Sequence, residues 1–89
     1  MKSASFTLKN KLGLHARAAA RLAAVLNEAA GDVWVEYGGR RVNGKSILGL
    51  LMLAAPVGTE FRVELEEADA EMILEAVSVL IDNRFGEAE

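Results

Sequence analysis

One histidine is present in the 89 residues, at position 15, with Arg17 two residues on and Arg21 one helical turn further. The segment Gly13-Leu14-His15-Ala16-Arg17-Ala18 opens an amphipathic stretch that reads as a helix. Helices usually start behind Ser, Thr, Asp or Asn and carry acids in the first turn. Here no good capping residue precedes the helix, and a cation sits in the first turn. Arg17 and Arg21 also put like charges on one face, costing roughly 0.2–0.5 kcal/mol if nothing lies between them. Three local rules fail in one place, as they tend to at functional sites.

An anion bound at the helix end accounts for all three failures. The backbone N–H groups of Ala16, Arg17 and Ala18 would point at it, and the helix dipole adds about half a positive charge. Arg17 could add a forked contact to phosphate oxygens. The same positive end would favour a neutral ring at His15, with one nitrogen nucleophilic. A neutral imidazole beside an oxyanion site suits covalent capture of a phosphoryl group. The plainer alternative is a lone histidine serving as a mediocre cap beside two solvated arginines.

The elements that must position these residues follow from periodicity. Ser5 to Lys9 alternates as a first strand, and Ala16 to Ala30 is a helix with Ala19, Leu22, Ala23, Leu26 and Ala30 on one stripe, stopped by Gly31. Asp32 to Tyr37 alternates again, Gly38-Gly39 is a hairpin turn, and Arg40 to Val42 returns. Ser46 caps a short helix over residues 47–53, and Glu60 to Glu66 is a strand with Phe61, Val63 and Leu65 inward. Asp69 caps a last helix, striped by Ile73, Leu74, Val77, Leu80 and Ile81. The order βαββαβα implies an α+β fold. It is a two-layer open-faced sandwich, with a four-stranded antiparallel sheet covered on one face by three helices. Trp34 would lie on the uncovered face.

The middle helix is apolar on every side and cannot bury its whole circumference in so small a fold. Ile47, Leu48 and Leu51 are expected to form an exposed patch for partners, with Arg21 beside it, while Leu50 and Leu53 enter the core.

Composition narrows the chemistry. With no cysteine and one histidine, disulfides, thiolate metal sites and multi-histidine metal sites are excluded within one chain. No run of 18 apolar residues occurs, and the first residues lack a signal-peptide core. The expectation is a single domain over residues 1–89, in the cytoplasm. The net charge of −3 hides a split: eight Lys/Arg against three acids in residues 1–45, and two against ten in residues 46–89. Aromatics at 6%, with no aromatic run on a basic strand, argue against nucleic-acid binding.

Asn10-Lys11-Leu12-Gly13-Leu14-His15-Ala16-Arg17 closely resembles the active-site segment of the HPr family, the histidine-containing phosphocarriers of the bacterial phosphotransferase system. Val42-Asn43-Gly44-Lys45-Ser46-Ile47-Leu48-Gly49-Leu50 resembles the family's second signature, around its regulatory serine. The resemblance covers essentially the whole chain. It implies that His15 takes a phosphoryl group on Nδ1 from Enzyme I and passes it to an EIIA-type acceptor. Arg17 and the first-turn N–H groups would steady the phosphate. It implies that Ser46 is the position modified by HPr kinase/phosphorylase in some bacteria. No metal, nucleotide or other cofactor is needed for these steps, and a transient carrier is expected to be a monomer. Ala18 departs from the family, which commonly has proline there. Two other readings remain at this stage: a regulatory relative in a nitrogen-related phosphorelay, and a small nucleic-acid- or ligand-binding α+β domain.

Overall fold

The computed structural model describes residues 1–88. Strand β1 (Lys2–Thr7) leads to helix α1 (Ala16–Leu26), hairpin strands β2 (Val33–Tyr37) and β3 (Arg40–Asn43), helix α2 (Ile47–Met52), strand β4 (Glu60–Leu65) and helix α3 (Glu67–Asp82). A short left-handed turn, Arg84–Gly86, follows α3. The sheet is antiparallel throughout, in the order β1-β4-β2-β3. The architecture is the α+β open-faced sandwich that the element order implies.

Register explains the two faces. Phe6 pairs with Phe61, Ala4 with Val63, Val33 with Leu65, and Val35 with both Val63 and Val42. These side chains point one way because side chains alternate along a strand. All of them but Ala4 meet Leu22 and Leu26 of α1, Leu50 of α2, and Ile73, Val77 and Ile81 of α3 in one core. The opposite face carries Trp34, Glu36, Arg41, Arg62 and Glu64. There Arg41 bridges Glu36 at 2.9 Å and Glu64 at 2.6 Å, and Arg62 reaches Glu36 at 2.9 Å. The Arg41 guanidinium lies 5.1 Å over the Trp34 ring, so the tryptophan is half-buried by its own sheet rather than bare.

Several boundaries differ from the sequence expectation, many of them by one residue. Strand β1 starts at Lys2 and ends at Thr7, because its pairing with β4 runs from Lys2–Leu65 to Thr7–Glu60. Helix α1 ends at Leu26, not Ala30. The Asn27 amide donates to the Ala23 carbonyl at 2.7 Å and to the Lys45 carbonyl at 3.0 Å, tying the helix end to the β3–α2 turn. Ala29 is then buried and Ala30 exposed. Asp69 is not a cap: α3 begins at Glu67 behind Glu66. The Asp69 carboxylate instead accepts the Ala30 N–H at 3.0 Å, anchoring the loop after α1.

Candidate functional site

The loop from β1 to α1 is set by Gly13. Its φ of +67° is left-handed, and a Cβ there would lie 2.5 Å from the Ala55 carbonyl oxygen. Glycine satisfies both demands, the positive φ and the close backbone approach. The next residue, buried Leu14, donates its N–H to that same carbonyl at 2.9 Å. The loop before α1 is thereby fastened to the loop before β4. His15 follows in an extended conformation, and α1 starts at Ala16 with no side-chain cap and no acid in its first turn. The Ala19 N–H donates to the His15 carbonyl at 2.8 Å. The N–H groups of Ala16, Arg17 and Ala18 donate to none of the described residues. The structure therefore brings His15, Arg17 and three unengaged N–H groups to one helix end.

An acid that the sequence reading does not anticipate completes the constellation. The Glu87 carboxylate meets Nε2 of His15 through Oε2, and its Oε1 accepts from the Asn10 side-chain amide at 3.1 Å. The same amide nitrogen donates to the Gly13 carbonyl at 2.6 Å. Asn10 is fully buried, and the side chains of His15 and Glu87 are 28% and 13% exposed. Burial works against the Glu87 charge. The hydrogen bonds from His15 and Asn10, with the nearby charge of Arg17, outweigh it and hold the carboxyl below its ordinary range. Glu87 thus supplies, at the ring, the negative charge that the helix start lacks. Nδ1 of His15 engages none of the described residues.

Glu87 reaches the ring because the chain doubles back after α3. Arg84, Phe85 and Gly86 have φ of 53°, 56° and 80°. The Gly86 and Glu87 N–H groups donate to the Asn83 and Arg84 carbonyls at 2.8 and 2.9 Å. Left-handed backbone costs a non-glycine residue about 1–2 kcal/mol. Both Arg84 and Phe85 bear that cost, and full burial of Phe85, returning about 1.5–3 kcal/mol, offsets much of it. A lone apolar residue behind Asp82-Asn83-Arg84 and ahead of glycine was the signal in the sequence that this tail is anchored.

The other expected residues fall in different places. Ser46 caps α2, its Oγ accepting the Gly49 N–H at 3.0 Å. Leu50 and Leu53 are buried, and Ile47 and Leu48 are exposed. Leu51 is not part of the exposed patch: it is half-buried and packs on the core, and Met52, 59% exposed, takes its place. Six residues make under two turns, so the free face is set by how Leu50 and Leu53 are pinned. Arg21 lies against the tail, its Nη1 2.7 Å from where a Cβ of Gly86 would be. A cleft of about 330 Å³ opens beside Glu87, lined by Lys11, Leu12, Glu87 and Ala88. Among the described residues no group of three His, Cys, Asp or Glu side chains is placed to hold a metal ion. No helix among them is long and apolar enough to cross a membrane.

Comparison with known proteins extends along nearly the whole chain. The family profile described as "PTS HPr component phosphorylation site" matches residues 2–83. The phosphocarrier protein HPr of Neisseria meningitidis is 44% identical over 89 residues, covering all of both chains. The phosphocarrier protein NPr of Shewanella violacea is 39% identical over 82 residues, covering 92% of this chain and 90% of that one. Among solved structures, HPr from Thermoanaerobacter tengcongensis superposes with a TM-score of 0.91 at 36% identity, covering both chains fully. An isolated histidine at an uncapped helix start, in this fold and at this level of identity along the chain, places the protein in a known group: it belongs to the HPr phosphocarrier family of the phosphotransferase system.

Proposed function

We propose that this chain carries a phosphoryl group on Nδ1 of His15, taken from the phosphohistidine of Enzyme I and handed to an EIIA-type acceptor in the cytoplasm. The observation that carries the reading is the asymmetry of the imidazole. Nε2 is occupied by Glu87, while Nδ1 engages none of the described residues, and the N–H groups of Ala16, Arg17 and Ala18 in the next turn donate to none of them. In the transfer, the Nδ1 lone pair forms a bond to phosphorus as the donor's N–P bond breaks and its electron pair returns to the donor ring. The incoming phosphoryl oxygens would meet the first-turn N–H groups and Arg17 at the positive end of α1. Alanine at position 18 keeps an N–H that proline would lack, so the first turn offers three donors.

Ile47 and Leu48, with Met52, form the apolar surface on which partners would dock, and Ser46 stands at its edge. A phosphate added to Ser46 by HPr kinase/phosphorylase would bring about −2 charge to that surface and oppose docking. A nitrogen-related relay is the second reading, favoured by the similarity to the NPr of Shewanella violacea.

Incubation with Enzyme I and phosphoenolpyruvate, read by intact mass, tests the proposal. The chain is expected to gain one phosphoryl group and His15→Ala none. An unchanged mass in an otherwise active assay would overturn it. Rates with the sugar-branch and the nitrogen-branch Enzyme I decide between the two relays.

A further inference from the structure

We propose that Glu87 is a positioning residue for phosphoryl transfer: its carboxylate holds the proton on Nε2 of His15, so that Nδ1 presents its lone pair and the phosphorylated ring keeps an Nε2–H. The inference rests on the carrier reading of His15 and adds to it a residue from the far end of the chain.

A neutral imidazole carries one N–H, and its partner decides on which nitrogen. An ionised carboxylate only accepts hydrogen bonds, so the nitrogen against Glu87 is the one bearing hydrogen. The carboxylate is itself held. The Asn10 amide faces two acceptors, Glu87 Oε1 at 3.1 Å and the Gly13 carbonyl at 2.6 Å, so its NH₂ end must point that way. This orientation leaves Asn10 Oδ1 buried and without a partner among the described residues. An orphaned acceptor of that kind costs about 1–3 kcal/mol, a penalty that the fold accepts while aiming the amide at Glu87. On the other side, Phe85 and three successive positive φ angles fix the backbone from which Glu87 projects.

The chemistry gives this contact a purpose. When Nδ1 takes the phosphoryl group, Nε2 keeps its hydrogen and the ring becomes a cation facing the Glu87 carboxylate. Acid, imidazole and reacting atom then stand in the relation familiar from hydrolase triads. When the group is passed on, the Nδ1–P bond breaks and the pair returns to Nδ1. With the Nε2 proton in place, the leaving group is a neutral imidazole. Without it, the leaving group would be an imidazolide anion, which departs far less readily. Among the described residues, the other charges placed near Glu87 are cations: Arg17 acts on its carboxylate, Lys11 lines the same cleft, and Arg21 lies against Gly86. Glu87 is the acid facing the ring among the described residues.

Glu87→Gln keeps the shape and removes the charge, and Glu87→Ala removes the acceptor. Two readouts separate positioning from a structural role. In ¹⁵N NMR of the unphosphorylated protein, wild type is expected as the Nε2–H tautomer alone, and Glu87→Ala as a mixture of both. In the pH profile of transfer from phosphorylated protein to an EIIA-type acceptor, the alkaline fall-off should come about one pH unit earlier in Glu87→Gln. Identical tautomers and superimposable profiles, with both variants folded, would overturn the proposal. If wild type takes no phosphoryl group from Enzyme I, the carrier reading fails, and the tautomer measurement still decides whether Glu87 sets the ring.

Discussion

At the scale of single residues, Gly13 and Asn10 do most to fix where His15 stands. A side chain at Gly13 would need both a left-handed φ and a gap where the Ala55 carbonyl sits. Gly13→Ala is therefore expected to cost about 1–3 kcal/mol, read as a lower urea midpoint, and to slow phosphorylation of His15 by displacing the ring. His15, Arg17 and the first-turn N–H groups were legible in the sequence because the signal is local. A helix start that lacks a cap and carries a cation violates rules spanning only a few positions. Glu87 was not legible, since its contact closes a separation of 72 residues and depends on a turn built from strained backbone. Asn10 lay within the segment that identified the family, yet its burial and its part in aiming Glu87 emerge only when the tail is in place.

At the scale of elements, the short helix α2 divides its apolar residues between core and surface. Leu50 is fully buried and Leu48 is 68% exposed, although both are leucines two positions apart. Leu50→Ala should destabilise the fold by about 2–5 kcal/mol, whereas Leu48→Ala should change stability by less than about 0.5 kcal/mol and weaken partner binding. Chemical denaturation beside a transfer assay checks the split. The Ser46 cap was readable from residue type and position, and Ser46→Ala should cost about 1 kcal/mol in the same denaturation experiment. Helix ends were less readable. Asn27 stops α1 through a bond to the Lys45 carbonyl, and Asp69 turns from a cap into a tie for the loop after α1, both across elements. Periodicity carries no information about such cross-element bonds. The exchange of Leu51 for Met52 in the exposed patch has the same origin, because the rotation of α2 is set by what Leu50 and Leu53 pack against.

At the scale of the whole molecule, the charge split along the chain is stitched together in space. Lys9 bridges Asp82 at 2.6 Å, Arg41 reaches Glu64, and His15 meets Glu87, each pair joining the basic first half to the acidic second. An exposed pair such as Lys9 and Asp82 contributes little by itself, but two carboxyls respond to acid together. Hydrogen bonding from Arg41 holds Glu36 below its ordinary range against the opposing effect of burial, and the charge of Arg62 adds to this. Glu87 is held low by His15 and Asn10. Groups with depressed folded values add stability above their unfolded value, and that stability is lost as pH falls through the folded value. Stability should therefore hold above about pH 4.5 and decline below it, and Glu87→Gln should make the decline shallower in thermal melts across that range. The phosphoryl group can be located on a single atom of His15 by NMR. Protein labelled with ¹⁵N at His15 and phosphorylated by Enzyme I should show ³¹P–¹⁵N coupling at Nδ1, with the proton retained on Nε2. Phosphorus bonded to Nε2, or to any residue other than His15, would contradict the assignment of Nδ1 as the acceptor.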